Sequence, residues 1–162
     1  MPEKKESVAD VLDLETLENI KLNNEKVLRT HIDSDIKELK TCYDNKAYKA
    51  MVIMAGAILE AFLIDWKSEI DHTDYLETDL IVTKKDGSKG KAELADYIYL
   101  IKKEYNPKWN RMSRKANKIR KTRNRVHVKV CLSKTEEITE NSCLEIINDL
   151  KEIVESRETM TT

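Results

Sequence analysis

Apolar residues recur at helical spacing along most of the chain. Between about 16 and 39, Leu28, Ile32, Ile36 and Leu39 share one face, while Glu25, Lys26, Asp33 and Lys37 fall off it. That is the stripe of an amphipathic helix. The period breaks near 42–45, where Asp44 or Asn45 is suited to cap a second helix. This second helix, about 46–70, carries AYKAMVIMAGAILEAFLIDW. A bilayer span takes about 20 apolar residues, and Lys49, Glu60 and Asp65 interrupt this stretch. It therefore reads as the buried helix of a bundle with no membrane partner. Gly56 and the alanines at 50, 55, 57 and 61 would let neighbouring helices approach closely.

Residues 71–90 lose the period. DGSKG at 86–90 is a turn signal, and DLIVTKK before it is suited to one arm of a short hairpin; a variable loop is the alternative. Helical spacing returns with Leu94, Tyr97, Ile98 and Ile101. Asn106-Pro107 predicts a helix restart, Asn as N-cap and Pro in the first turn. That helix is expected to run to about His127, where Val126, Val128 and Val130 alternate like a strand. A last helix puts Cys143, Ile146, Ile147, Leu150 and Val154 on one face, starting from Ser133 with Glu136 or from Thr139. The pattern predicts an all-α, up-and-down bundle of four or five helices. It forms one domain over 14–157, with flexible termini at 1–13 and 158–162.

Composition agrees. Only Gly 3 and Pro 2 occur in 162 residues, too few for the turns of a sandwich or barrel. The three cysteines, Cys42, Cys131 and Cys143, have neither disulfide-framework nor zinc spacing. A reducing, cytoplasmic location without a signal peptide is the expectation, with no metal and no cofactor.

Charge changes the picture more. The chain carries a net −1, yet residues 102–130 hold twelve Lys or Arg against one acid, Glu104. That segment is +11 and the remainder −12, an asymmetry that points to an anionic partner. Lys108, Arg111, Arg114, Lys115, Lys118, Lys121 and Arg125 are candidate contacts to an RNA backbone; a solvated helix face is the alternative. Within RKTRNRVHVKV, Arg123 and His127 are i,i+4 neighbours and Arg120 lies one turn back. The cations bias His127 towards neutral until an anion arrives. Histidine, asparagine and arginine together suit RNA strand cleavage without metal: imidazole moves protons and guanidinium meets the charge on phosphorus. One such histidine is half of an acid–base pair, which a two-fold dimer would complete. Glu60, inside the apolar helix, requires a cation or a wet cleft. The basic helix is the source of such a cation, either in a structural pair or in a role orienting Arg123 or His127. Trp66 and Trp109 read as core or interface residues rather than base-stacking platforms. A DNA-binding regulator is disfavoured, because no tight helix-turn-helix precedes the basic helix.

RKTRNRVHVKV resembles the Arg-polar…His signature of HEPN domains, and AYKAMVIMAGAILEAFLIDW is similar to their second helix. The resemblance covers roughly 14–157. It implies a four- or five-helix bundle and, in many members, a metal-independent endoribonuclease that works as a homodimer. Cleavage is by 2′-hydroxyl attack, with the motifs of both chains lining one cleft. It also implies service as a toxin beside a nucleotidyltransferase-type antitoxin, or in antiviral defence. Other members are inactive modules that bind RNA, nucleotide or protein. The family leaves four to six residues between Arg and His. Arg123 to His127 leaves three, while Arg120 to His127 leaves six but is followed by Lys121. Carried over residue by residue, the implied catalytic set is Arg123, Asn124 and His127, with Arg120 and Glu60 supporting.

Overall fold

Periodic apolar positions become helices throughout the residues that the computed structural model describes, 12–126 and 137–161. In chain order these are α1 (Glu15–Glu18), α2 (Glu25–Asp44), α3 (Tyr48–Asp71), a hairpin of β1 (Ile81–Thr83) and β2 (Lys89–Lys91), α4 (Leu94–Tyr105), α5 (Asn110–Asn124) and α6 (Glu140–Thr161). The architecture is an all-α bundle of six helices, among the described residues, with one small hairpin.

The central helix is α3. It packs against α2, α4, α5 and α6, and apolar residues are buried around most of its circumference. No helix among the described residues is long and apolar enough to cross a membrane. The predicted faces of α2, α4 and α6 are all buried: Leu28, Ile32, Ile36 and Leu39; Leu94, Tyr97, Ile98 and Ile101; Cys143, Ile146, Ile147, Leu150 and Val154. Trp66 and Trp109 are fully buried and meet edge to face, with ring centroids 5.6 Å apart. The Trp109 indole N–H donates to Ser156 Oγ at 3.0 Å.

Several predicted boundaries move. The helix expected over 16–39 is two helices, because the backbone N–H groups of Asn23 and Asn24 turn in to Asp65, donating to its carboxylate at 2.7 and 2.8 Å. Asn24 then caps α2 by accepting from the Val27 N–H. Asn45 closes α2 rather than opening α3: its amide donates to the Thr41 carbonyl, and α3 starts after Ala47 with no side-chain cap. Asn106 does not cap α5. Burial of Trp109 draws 106–109 into a turn containing a cis Asn106-Pro107 bond, and α5 begins at Asn110. Thr139 starts α6, accepting from the Ser142 N–H, while Ser133 and Glu136 lie outside the described residues. The expected domain end at 157 falls inside α6, which continues to Thr161.

The hairpin is present in the middle segment, β1 antiparallel to β2 with Val82 opposite Gly90. Gly87 turns it at φ +81°, a left-handed conformation that glycine adopts without steric cost. Lys84 ties the hairpin to α4 through Asp96 at 2.8 Å. Asp96 is also the third residue of a capping box with Glu93.

An ionic clasp joins three elements on the far side of α3. Arg157 of α6 donates to Asp65 at 2.9 Å and to Glu69 at 2.7 Å, and stands over the Phe62 ring. Asp65 is fully buried, so it needs these partners as well as the Asn23 and Asn24 amides.

Candidate functional site

The middle of the basic segment, Asn110–Asn124, folds as α5, and its faces have different neighbours. Ser113, Ala116 and Ile119 are buried and face the core. Arg123 follows on the same side, one turn beyond Ile119. Its stem crosses α3 at Gly56, where an added Cβ would sit 2.5 Å from Arg123 Cδ. Its guanidinium reaches Glu60, Nη1 to Oε2 at 3.2 Å. Gly56 and Glu60 are i,i+4 on α3, so one residue supplies the room and the other the charge. The cation that Glu60 requires is thus Arg123. The pair is half-buried, and nearby Tyr97 has its hydroxyl pushed above its usual range by burial, then by Asp79 and Glu60.

A second face meets α6. Lys115 Nζ lies 2.6 Å from Asp149 and 3.0 Å from Glu152; Lys118 lies 3.1 Å from Glu145; Arg111 lies 3.6 Å from Glu152. The hydrogen bonds to Asp149 and Glu152 hold the Lys115 ammonium above its ordinary pKa. Arg111, Lys115 and Lys118 are therefore engaged by carboxylates of the bundle, against the reading of all seven basic residues as one RNA surface. Glu145, Asp149 and Glu152, at i, i+4 and i+7, were the signal in the sequence for this row.

A third face is open. Arg114, Asn117, Lys118, Arg120, Lys121, Thr122 and Arg125 line a concavity of about 530 Å³. Among these described residues there is neither a carboxylate nor an aromatic ring. Arg120 Nε donates to Asn117 Oδ1 at 3.2 Å, so Arg120 belongs to this face and not to the Arg123–Glu60 pair. Asn124 ends α5, half-buried. Lys108 is exposed in the turn before the helix.

His127 lies outside the described residues, and α5 ends before it. Of the other histidines, His31 is 3.5 Å from Asp35 on α2, and His72 closes α3 in a left-handed conformation. Among the described residues no group of His, Cys, Asp or Glu could hold a metal ion, and Cys42 and Cys143 are free thiols. Burial pushes the Cys143 thiol up to about 11, which suits a core residue rather than a nucleophile. Gly56 as the seat of Arg123 is the site residue that sequence reasoning did not single out, although its small size was noted. Comparison with protein-family models, curated proteins and solved structures finds no match to this chain.

Proposed function

We propose that this chain is an RNA-binding helical bundle of the HEPN type that acts as a metal-independent endoribonuclease. The observation that carries the reading is the division of α5: Arg123 seats at Gly56 and pairs with Glu60 on α3, while the described residues lining the open face of the same helix are five cations with Asn117 and Thr122, and no acid. In this reading the backbone of an RNA strand lies on the open face. Arg123 meets the charge that develops on phosphorus as the 2′-oxygen attacks, and its planar fork matches two phosphate oxygens. His127 takes the 2′-hydroxyl proton. A second His127, from a two-fold partner, gives a proton to the departing 5′-oxygen. The products end in 2′,3′-cyclic phosphate and 5′-hydroxyl.

The experiment is incubation of the purified chain with end-labelled RNA in EDTA, with analysis of the termini. Cleavage that persists in EDTA, yields cyclic phosphate and falls about 10²–10⁴-fold in His127→Ala supports the reading. Equal cleavage by His127→Ala would sink the assignment. One observation favours a second reading, a binding module without catalysis: the Arg123 guanidinium already has a counter-ion in Glu60. Salt-sensitive binding without cleavage of any RNA would select it.

A further inference from the structure

Residues 114, 118, 121 and 125 lie within about 60° of one another around α5, at 100° per residue. They supply one cation per helical turn over about 16 Å, and Lys118 stands at the edge of the row, shared with Glu145 of α6 at 3.1 Å. Arg123 lies about 140° or more from each of them, on the core side. The open concavity and the Arg123–Glu60 pair are therefore separate sites on one helix.

The chemistry of the concavity is narrow. Its neutral liners are Asn117 and Thr122. Asn117 donates to the Ser113 carbonyl and accepts from Arg120, and Thr122 donates to the Lys118 carbonyl, so both are engaged within α5. Among the described residues that line it, none offers a ring on which a base could stack. Telling RNA from DNA requires contacts to the 2′-hydroxyl, and telling sequences apart requires contacts to base edges. What the concavity offers is positive charge repeated along a line.

We propose that it is a phosphate track, which follows a nucleic-acid backbone without reading base or sugar. The inference rests on the reading of the chain as RNA-binding and narrows it: selectivity for RNA arises elsewhere, in the chemistry at the 2′-hydroxyl. The track holds DNA as well as it holds RNA.

Fluorescence anisotropy of the full-length chain tests this, using labelled DNA and 2′-O-methyl RNA of one sequence and a second sequence of different composition. Neither backbone has a free 2′-hydroxyl, so cleavage does not disturb the readout. All should bind within about threefold of one another, as phosphate-only contact requires. Four phosphates on a single strand give a slope of about −2.8 in log affinity against log salt, so a fourfold rise in salt weakens binding about fifty-fold. Arg114→Glu with Lys121→Glu, both exposed positions, should lower affinity about tenfold or more and roughly halve the slope. Arg114→Gln with Lys121→Gln, checked for native helix content by circular dichroism, should move both quantities the same way. A preference above about tenfold for one sugar or sequence would overturn the track, as would unchanged binding in both groove variants or no binding at low salt. RNA cleavage that both groove variants leave intact would overturn the track and leave the ribonuclease reading standing. Salt-dependent binding by a chain that cuts no RNA would do the reverse.

Discussion

Adding one methyl group at Gly56 tests how Arg123 is held. The Cβ of an alanine there would lie 2.5 Å from Arg123 Cδ, 3.2 Å from Cγ and 3.5 Å from Cβ. Carbon atoms rest about 3.5–4.0 Å apart, so the middle of the arginine stem must retreat by about 1 Å. The bond to Glu60, at 3.2 Å, is already at the long end for N–H···O and does not survive such a shift. The loss is small, because a half-exposed ion pair is worth about 0–1 kcal/mol. The gain from replacing a helical glycine with alanine is about 0.5–1 kcal/mol. Gly56→Ala should therefore change stability by less than about 1 kcal/mol while dislodging the guanidinium. A double-mutant cycle with Arg123→Ala, read by urea unfolding, isolates the clash. In the Arg123→Ala background the methyl group has room, and alanine should show the full helix gain. In the native background it should fall short of that by about 1 kcal/mol or more. RNA cleavage in Gly56→Ala should drop with the arginine displaced. Equal gains in both backgrounds, within about 0.5 kcal/mol, would refute the account of Gly56 as the arginine's seat.

Lys115→Ala should cost about 1–3 kcal/mol in thermal unfolding, since it leaves the nearly buried Asp149 carboxylate short of a donor; Lys121→Ala, on the open face, should cost under about 0.5 kcal/mol. Reversal of that order would argue against the division of α5. Arg157→Met strands Asp65 in the core and should cost about 3–5 kcal/mol by denaturant unfolding, with a cost below about 1 kcal/mol ruling the clasp out as a stabilising feature. Burial raises the Asp96 pKa, but the Glu93 N–H and the Lys84 ammonium more than offset it, so the carboxyl sits below its ordinary 3.8. Its contribution is complete above the unfolded value and is lost as pH falls through the lower folded value. Asp96→Asn should therefore lower stability at neutral pH and flatten the loss on acidification below about pH 4; an unchanged acid slope would count against it.

The buried faces of α2, α4 and α6 were legible because each helix packs one stripe against the core, and periodicity records that directly. The break at 19–24 was not. Asn24 caps α2 locally, but the turn that separates the two helices is held by Asp65, more than forty residues later, which collects the Asn23 and Asn24 amides. Asn106-Pro107 misled for a related reason. Local capping chemistry predicted a start at the proline, and the burial of Trp109 against Trp66 overrode it. Asn45 had the right chemistry for a helix terminus, but the terminus was the end of α2.

The basic segment shows where composition stops being informative. Twelve cations within 102–130 suggest one surface, but a helix distributes its side chains around its whole circumference. On α5 those sides meet α3, α4, α6 and solvent. Glu60 takes Arg123, and the acids of α6 take Arg111, Lys115 and Lys118. These pairs fix the rotation of α5 about its own axis. Turning the helix by one residue, about 100°, would bring a different set of side chains against Glu60 and against Asp149. The same pairs therefore determine which cations face outward. The acids that neutralise part of the segment orient the rest, and the open face owes its uniform positive charge to carboxylates that are not on it.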